Sequence, residues 1–561
     1  MRRPVIWSVA GTDSGGGAGL SADTRAADAF GVHLCPVVAA ITAQNSVAVQ
    51  RVQPVGAELI EAQFDALSDD VAPSVVKTGL LASVEAIRAV VRAVDRLRER
   101  TPVALVVDPV LCASTGAEFA DAEIIAAYRD ELLPRATVIT PNRSEVTLLA
   151  ACHSGESRNP AAALCHSRAG GNPASLPEIA EQLRNSGASA VCITGGDATD
   201  ALANDWIATP HASGWLSASR IETTHTHGSG CTFATATAAA LALGFVEADA
   251  LVLAKMATAA AIRAAYPAGS GSGPVRALAG FARNAGSLPH LSWDAALPAT
   301  WPAPRARDAP GLYAIVDSAA RVDAVLAAGI RTVQLRIKRA DDASLRAEIS
   351  RAMRACRDRG ARLFINDHWR AALELGAAGL HLGQEDFLAL SREQRHRLAT
   401  SGIALGISSH SLWELCRAAT LVPDYIACGP VWPTETKRMR WRPQGLDNLA
   451  WWCATAGAPV VAIGGILSAA EVTAAARCGA GGVCVVRALG AEPAASVPPL
   501  QAALEAARAM PVLPVPAMPH PSLDAHARNG PMSSREAEPE HGEGDRESRA
   551  GGDSSSLRFP E

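Results

Sequence analysis

The chain has no CxxC pair and no dense cysteine framework; its twelve cysteines are scattered. That excludes a disulfide-stapled scaffold and fits reduced thiols in a cytosol. It has no basic excess either. A net charge of −5 leaves no global footprint for nucleic acid. No apolar run is long enough to be a membrane span. The most apolar region, Cys231 to Tyr266, is broken by Glu247, Asp249 and Lys255 and reads as two buried helices. The N-terminal Val5-Ile6-Trp7 is too short for a signal peptide and reads as a first strand. Only 4% of residues are aromatic, yet a hydrophobic content of 48%, much of it alanine, supports large cores. At 561 residues, two to four domains are expected. A cytoplasmic protein without nucleic-acid or membrane partners is the expectation these absences leave.

The chain is organised around Thr226-His227-Gly228-Ser229-Gly230-Cys231-Thr232, which precedes an alanine-rich helical run, Phe233 to Leu243. A Gly-rich turn opening a helix points several N–H groups at one spot, where the helix dipole adds positive potential. Such a turn can hold a phosphate or the charge that develops during its transfer. Cys231 falls at the helix N-terminus, where a thiol pKa is lowered, and could act as a base. The plainer reading is a Gly-capped turn with a packed cysteine.

Upstream, Val5 to Ala10 reads as a strand that ends in Gly11-Thr12-Asp13-Ser14-Gly15-Gly16-Gly17-Ala18-Gly19. This is neither GxGxxG in proper spacing nor a Walker A loop, since no GK[ST] closes it. Strands are also predicted at Val37–Ile41, Val75–Thr78, Ala104–Val107, Thr137–Ile139 and Ala190–Ile193, with helical patterns between them. That alternation predicts a mostly parallel sheet covered by helices. Polar residues gather where the strands end: Gln44-Asn45, Lys77-Thr78, Asp108, Asn142 with Glu145, and Gly195-Gly196-Asp197. In open α/β sheets the ligand crevice lies at that edge. Asn142 and Asp108 are also ordinary helix caps or turn formers. Asn142 and Glu145, three apart, could both face a hydrated Mg²⁺ on nucleotide phosphates.

Together the Gly11–Gly19 turn with Asp23, Ala43-Gln44-Asn45, Asp108-Pro109-Val110, Thr140-Pro141-Asn142-x-x-Glu145 and the Thr226–Thr232 turn resemble hydroxymethylpyrimidine/phosphomethylpyrimidine kinases, over about residues 5 to 280. The resemblance implies a ribokinase-like three-layer α/β domain. By it, Asp23 and Gln44 hold the aminopyrimidine, Asn142 and Glu145 serve Mg-ATP, Gly228 and Gly230 form the anion hole, and Cys231 is the catalytic base. Ser114, Thr194 and Ser270 stand where the family usually has a lysine, a lysine and a histidine. Pyridoxal-type alcohols and a pyrimidine-binding scaffold are the alternatives for this half.

Cys152-His153-Ser154-x-x-x-x-Asn159-Pro160 recurs as Cys165-His166-Ser167-x-x-x-x-Asn172-Pro173. Neighbouring Cys and His point apart, and the spacing fits no zinc module. A loop insertion at 151–176 is expected instead. The first domain therefore spans 1–286. The Pro-rich 287–310 reads as an extended linker.

From Gly311 the pattern restarts. Strands are predicted at Gly311–Val316, Thr332–Ile337, Arg362–Ile365, Gly379–Leu382, Ile403–Ile407, Tyr425–Cys428, Val460–Ile463 and Gly482–Val486. Eight strands, alternating with helix-length segments, predict a (β/α)8 TIM barrel over 311–508. Chemistry again sits at strand ends, where Asp367 and Asp386 with Lys437 suit a Mg²⁺–pyrophosphate clamp; their other reading is helix capping.

Val333-Gln334-Leu335-Arg336-x-Lys338, Ile365-Asn366-Asp367, His381-Leu382-Gly383-Gln384-x-Asp386, Gly429-Pro430-Val431-x-Pro433-Thr434-x-Thr436-Lys437 and Ala462-Ile463-Gly464-Gly465-Ile466 resemble thiamine-phosphate synthases. The resemblance implies that Asp367 and Asp386 bind Mg²⁺. It gives the pyrophosphate to Arg336, Lys338, Asn366, Ser408 and Lys437, with Gln334, Thr434 and Thr436 also on the substrates. It gives the thiazole phosphate to Gly464, Gly465 and Val486. Arg487 stands where that family often has serine. A disordered tail is expected over 509–561. The whole chain thus reads as a bifunctional enzyme of thiamine biosynthesis. Its ligands would be ATP, an aminopyrimidine and a thiazole phosphate, and a homo-oligomer is compatible with it.

Overall fold

The computed structural model describes residues 3–112, 119–151, 175–196, 198, 200–298, 300–301, 307–338, 340–434 and 440–523. Among these, ten strands form one sheet: β1 (Val5–Gly11), β2 (His33–Gln44), β3 (Val49–Pro54), β4 (Val75–Thr78), β5 (Ala104–Val107), β6 (Val138–Ile139), β7 (Ala190–Ile193), β8 (Leu202–Ala208), β9 (Ser213–Ser219) and β10 (His290–Leu291). Their order is β10-β9-β8-β7-β6-β5-β4-β1-β2-β3. The centre, β2 through β7, is parallel. The predicted strands all fall there. The antiparallel outer strands, β3 and β8 to β10, were not legible as strands in the sequence.

Side chains alternate across this sheet, as the two-residue strand period demands. Ile6, Val75 and Val106 face one core with helices Ser229–Ala242 and Glu247–Arg263. Trp7, Val76 and Val107 face the other, against Val84–Arg100 and Leu176–Asn185. Helix Ser229–Ala242 buries nine consecutive residues from Thr232 to Ala240, which accounts for its lack of an apolar stripe. The result is the expected three-layer ribokinase-like arrangement.

The second fold is the expected barrel. Strands β11 (Gly311–Val316), β12 (Thr332–Leu335), β13 (Arg362–Asn366), β14 (Gly379–Leu382), β15 (Ala404–Ser409), β16 (Tyr425–Cys428), β17 (Val460–Ala462) and β18 (Gly482–Val485) close in sequence order, β18 pairing with β11. Tyr313, Phe364, Tyr425, Val461 and Cys484 fill the interior.

Two expectations change. The 287–310 stretch is not a free extended linker in its first half. Leu291 pairs with Leu216 as strand β10, and the Trp215 indole donates to the Ala295 carbonyl at 2.9 Å. The next indole, Trp293, donates to Thr420 Oγ1 on the barrel at 2.8 Å. Short apolar residues among the prolines anchor the segment to both folds. The tail expected to be disordered from 509 is tied down as far as Leu523. Leu513 donates to Arg477 O at 2.7 Å, His520 N–H to Asn448 Oδ1 at 2.8 Å, and Leu523 is buried. The two folds also touch directly. Asp249 Oδ1 accepts the Trp413 backbone N–H at 3.0 Å, and the Trp451 indole donates to Ala282 O at 2.9 Å. The repeat at 152–174 lies outside the described residues, as do Ser114 and Asp197.

Candidate active sites

In the first domain two glycine turns lock together. Asp13, in the turn after β1, accepts N–H groups from Gly15 at 2.7 Å, Gly17 at 2.9 Å and Ala18 at 2.7 Å. Its Oδ2 also meets His227 Nε2 at 2.9 Å. Burial alone would raise this carboxyl; His227, the Ala18 and Gly15 amides and the Gln44 side chain hold it well below the ordinary range instead. Gly228 takes φ 82°, and a Cβ there would run into the Gly17 carbonyl, so only glycine lets the turns approach. The helix then starts at Ser229, with open space over Gly230. The late Ser-Gly-Ser-Gly-Pro segment closes the other side, Gly273 O accepting from His227 N at 3.1 Å. The turn predicted as an anion hole at Gly228 and Gly230 is thus a braced glycine turn at a helix N-terminus.

Three sequence expectations shift here. Asp23 is fully buried. Its oxygens take Lys77 Nζ at 3.0 and 2.9 Å, Ser8 Oγ at 2.6 Å and Thr235 Oγ1 at 2.7 Å. It is an internal anchor between β4 and helix Ser229–Ala242, and assigning it to the aminopyrimidine is corrected: its four hydrogen bonds leave no lone pair facing open space. Burial works against the Lys77 ammonium, but Asp23, aided by Cys231 and Asp108, more than restores it. Second, the Cys231 thiol is not lowered. Burial pushes it up to about 12, with Lys77 opposing and Asp23 and Asp108 adding; desolvation outweighs the helix dipole. Third, Asn142 Oδ1 accepts from Ser144 and Glu145 N–H at 2.9 Å each, and Glu145 Oε2 accepts from Asn142 N at 2.9 Å. This reciprocal pair is a capping arrangement, so the plainer reading describes its geometry.

Asp108, in the sequence a strand-end polar residue or ordinary cap, is buried. Burial raises its carboxyl to about 6, with Lys77 opposing and Asp23 adding. Gln44 sits partly exposed at the end of β2, its backbone paired twice with Ser14 Oγ at 2.7 and 2.8 Å. Where the family's lysine would follow β7, Thr194 bridges Asn142.

The barrel gathers its predicted residues at the carboxyl ends of the strands. Gln334 lies on β12, with Arg336 and Lys338 just beyond. Asn366 ends β13, Ser408 lies at the end of β15, and Gly464-Gly465 and Val486 follow β17 and β18. Asp367 adopts φ 63°, a left-handed conformation that costs energy for a residue with a Cβ. Burial and then neighbouring Asp386 raise its carboxyl, against Arg336 and His368. Asp367 and Asp386 thus lie within each other's field, with Arg336 as the strongest opposing cation. Among the described residues no group of three or more His, Cys, Asp or Glu is placed to hold a metal. Gly464 takes φ 91°, and a Cβ there would strike Pro430 at 2.7 Å. Thr434 is described; Thr436 and Lys437 lie outside the described residues. Gln384, quoted in the resemblance but given no role there, is buried, its Nε2 donating to Ser408 O at 3.2 Å and Glu414 O at 3.0 Å.

A ribokinase-like kinase domain joined to a phosphate-binding (β/α)8 synthase barrel is the class that these folds and sites define. Residues 13–276 match the family described as phosphomethylpyrimidine kinase, and 312–489 the family described as thiamine monophosphate synthase. A probable chloroplastic thiamine biosynthetic bifunctional enzyme from Oryza sativa subsp. japonica is 32% identical over 484 residues, covering 83% of this chain and 82% of the relative. A chloroplastic counterpart from Arabidopsis thaliana is 33% identical over 477 residues, covering 82% and 85%. Among solved structures, the phosphomethylpyrimidine kinase of Clostridium difficile 630 is 27% identical with a TM-score of 0.37, covering 46% of this chain and 100% of that one. The chain belongs to the bifunctional thiamine biosynthetic enzymes. Its kinase domain phosphorylates hydroxymethylpyrimidine and its monophosphate, and its barrel is a thiamine-phosphate synthase. No helix of the described residues is long and apolar enough to cross a membrane.

Proposed function

We propose that the two steps are divided between the sites as follows, in the cytoplasm, with ATP as phosphate donor. The braced turn at Gly228–Gly230 holds the transferring phosphoryl group, Gln44 reads the aminopyrimidine, and Asn142 and Glu145 border the nucleotide. Cys231 accepts the alcohol proton. With its thiol at about 12, roughly one molecule in 10⁵ carries the thiolate at neutral pH, so the step should quicken as pH rises.

In the barrel, Asp367 and Asp386 fit Mg²⁺ by their oxygen-only, mutually repelling pair. When bound, the ion supplies charge neutralisation to the departing pyrophosphate. Arg336, Lys338, Asn366, Ser408 and Lys437 hold that pyrophosphate, with Gln334, Thr434 and Thr436 also on the substrates. Gly464, Gly465 and Val486 offer N–H groups to the thiazole phosphate. An electron-rich aminopyrimidine tolerates the cationic methylene left behind, so the protein stabilises separating charge and supplies no nucleophile.

The observation that carries this reading is the coexistence in one chain of a braced glycine turn that opens a helix and a cluster of polar residues at the carboxyl ends of the barrel strands. An assay of wild type and Cys231→Ala with hydroxymethylpyrimidine and Mg-ATP tests it. ADP release should be lost in the variant while coupling of supplied pyrimidine diphosphate persists. Faster turnover of pyridoxal than of hydroxymethylpyrimidine would reassign the kinase substrate.

A further inference from the structure

Below the barrel mouth, five polar side chains form a continuous chain of hydrogen bonds, of which Tyr313, Tyr425 and His381 have no part in the coupling step as described. Gln334 Nε2 lies 3.2 Å from the Tyr313 hydroxyl. That hydroxyl lies 2.7 Å from the Tyr425 hydroxyl. The Tyr425 hydroxyl lies 2.7 Å from His381 Nδ1, and His381 Nε2 lies 2.9 Å from Ser408 Oγ. The chain crosses β12, β11, β16, β14 and β15. Its first four members are buried, and only Ser408 is partly exposed. Tyr425 also stacks on the imidazole, rings 5.6 Å apart and inclined by 13°, which fixes the ring plane.

A barrel interior can be filled by apolar side chains alone, so a buried polar chain has to satisfy every member. The proton count then sets a direction. Each phenol has one proton, and a neutral imidazole has one N–H. Each ring nitrogen of the buried His381 faces a hydroxyl, a partner that offers a charged ring no counter-ion, so the ring is neutral. With the Gln334 amide donating to Tyr313, the Tyr313 proton goes to the Tyr425 oxygen. The Tyr425 proton goes to Nδ1, and the imidazole proton is left on Nε2, donated to Ser408 Oγ. Ser408 then has its own proton free for the mouth. Reversing the amide reverses every bond, leaving Nδ1 protonated and the Ser408 proton turned inward. The mouth would then receive lone pairs, which repel a diphosphate.

We propose that Gln334, Tyr313, Tyr425 and His381 form a one-way hydrogen-bond relay that fixes Ser408 as a proton donor to the diphosphate of the pyrimidine substrate. Tyr425, Tyr313 and His381 are positioning residues that act through Ser408. The proposal rests on the synthase reading for the role of Ser408, but the direction of the relay is a property of the free protein.

The test has two arms. In full-length protein labelled with ¹⁵N-histidine, the His381 resonances are identified by their loss in His381→Gln. The relay requires the Nε2–H tautomer in wild type without substrate; an Nδ1–H tautomer overturns it. In the second arm, supplied pyrimidine diphosphate and thiazole phosphate are coupled by Tyr425→Phe, Ser408→Ala and the double variant. Each single variant should lower kcat about tenfold, the size of one lost charge-assisted hydrogen bond. The double variant should be no slower than Ser408→Ala. A double variant slower by the product of the two effects shows independent action and overturns the relay. Failure of the wild type to couple these substrates sinks the synthase reading itself, and leaves the tautomer result standing.

Discussion

Asp249 gives the most direct handle on how the two folds are held together. It is buried on helix Glu247–Arg263 of the kinase domain and caps a barrel helix, accepting the Trp413 N–H at 3.0 Å. Burial raises its carboxyl from 3.8 to about 8; the Trp413 and Leu412 amides pull it down and Glu414 pushes it up. Cys416 also lies within its field. A folded pKa above the unfolded one means that the native state holds more protons. The stability tied to Asp249 is therefore fully present below about pH 3.8 and is lost as pH rises through about 8. Inside that window the slope approaches about 1.4 kcal/mol per pH unit. In Asp249→Asn the side-chain oxygen still accepts from Trp413 but does not titrate. Between about pH 5 and about pH 7, wild type should lose up to about 3 kcal/mol relative to the variant. Other titrating groups cancel in the difference. Urea unfolding followed by tryptophan fluorescence at several pH values measures it. Parallel stability curves for the two proteins would refute the buried, proton-linked cap.

Three further outcomes follow from the sites. Lys77→Met should destabilise the kinase domain by about 3–5 kcal/mol, because it strands a buried carboxylate, and Asp23→Asn added to it should recover most of that loss; additive losses in thermal unfolding would contradict the Asp23 correction. The kinase kcat/KM should rise about tenfold per pH unit from about pH 7 to about pH 9 if Cys231 is the base. A plateau above about pH 6 would hand that role to Asp108, whose carboxyl is held at about 6. Asp386→Ala should abolish Mg²⁺-dependent coupling and leave ADP production intact; unchanged coupling would remove the metal role from the Asp367–Asp386 pair.

The barrel was legible because each of its strands is a short apolar run ending in chemistry. The antiparallel edge of the kinase sheet was not. Asn204 and Asp205 interrupt β8 with polar residues, yet both are buried, Asp205 pairing with Lys255 at 2.7 Å. β3, Val49–Pro54, is largely exposed and carries little apolar signal. The strand-end residues announced two sites, but not which side chains turn inward. Asp23 and Lys77 are 54 positions apart, and nothing local shows that they satisfy one another. Cys231 was read from its helix position, whereas its environment is set by burial beside Lys77, Asp23 and Asp108. The relay residues were equally hidden. A tyrosine or histidine at an inward strand position looks like ordinary core until the barrel closes and brings five strands' hydroxyl, imidazole and amide groups into line.

The most direct test of the whole account supplies one purified chain with hydroxymethylpyrimidine, Mg-ATP and thiazole phosphate, and follows ADP, pyrophosphate and thiamine monophosphate together. The account predicts two ADP and one pyrophosphate for each thiamine monophosphate formed. ADP without thiamine monophosphate, or no ADP while supplied pyrimidine diphosphate is still coupled, would contradict it.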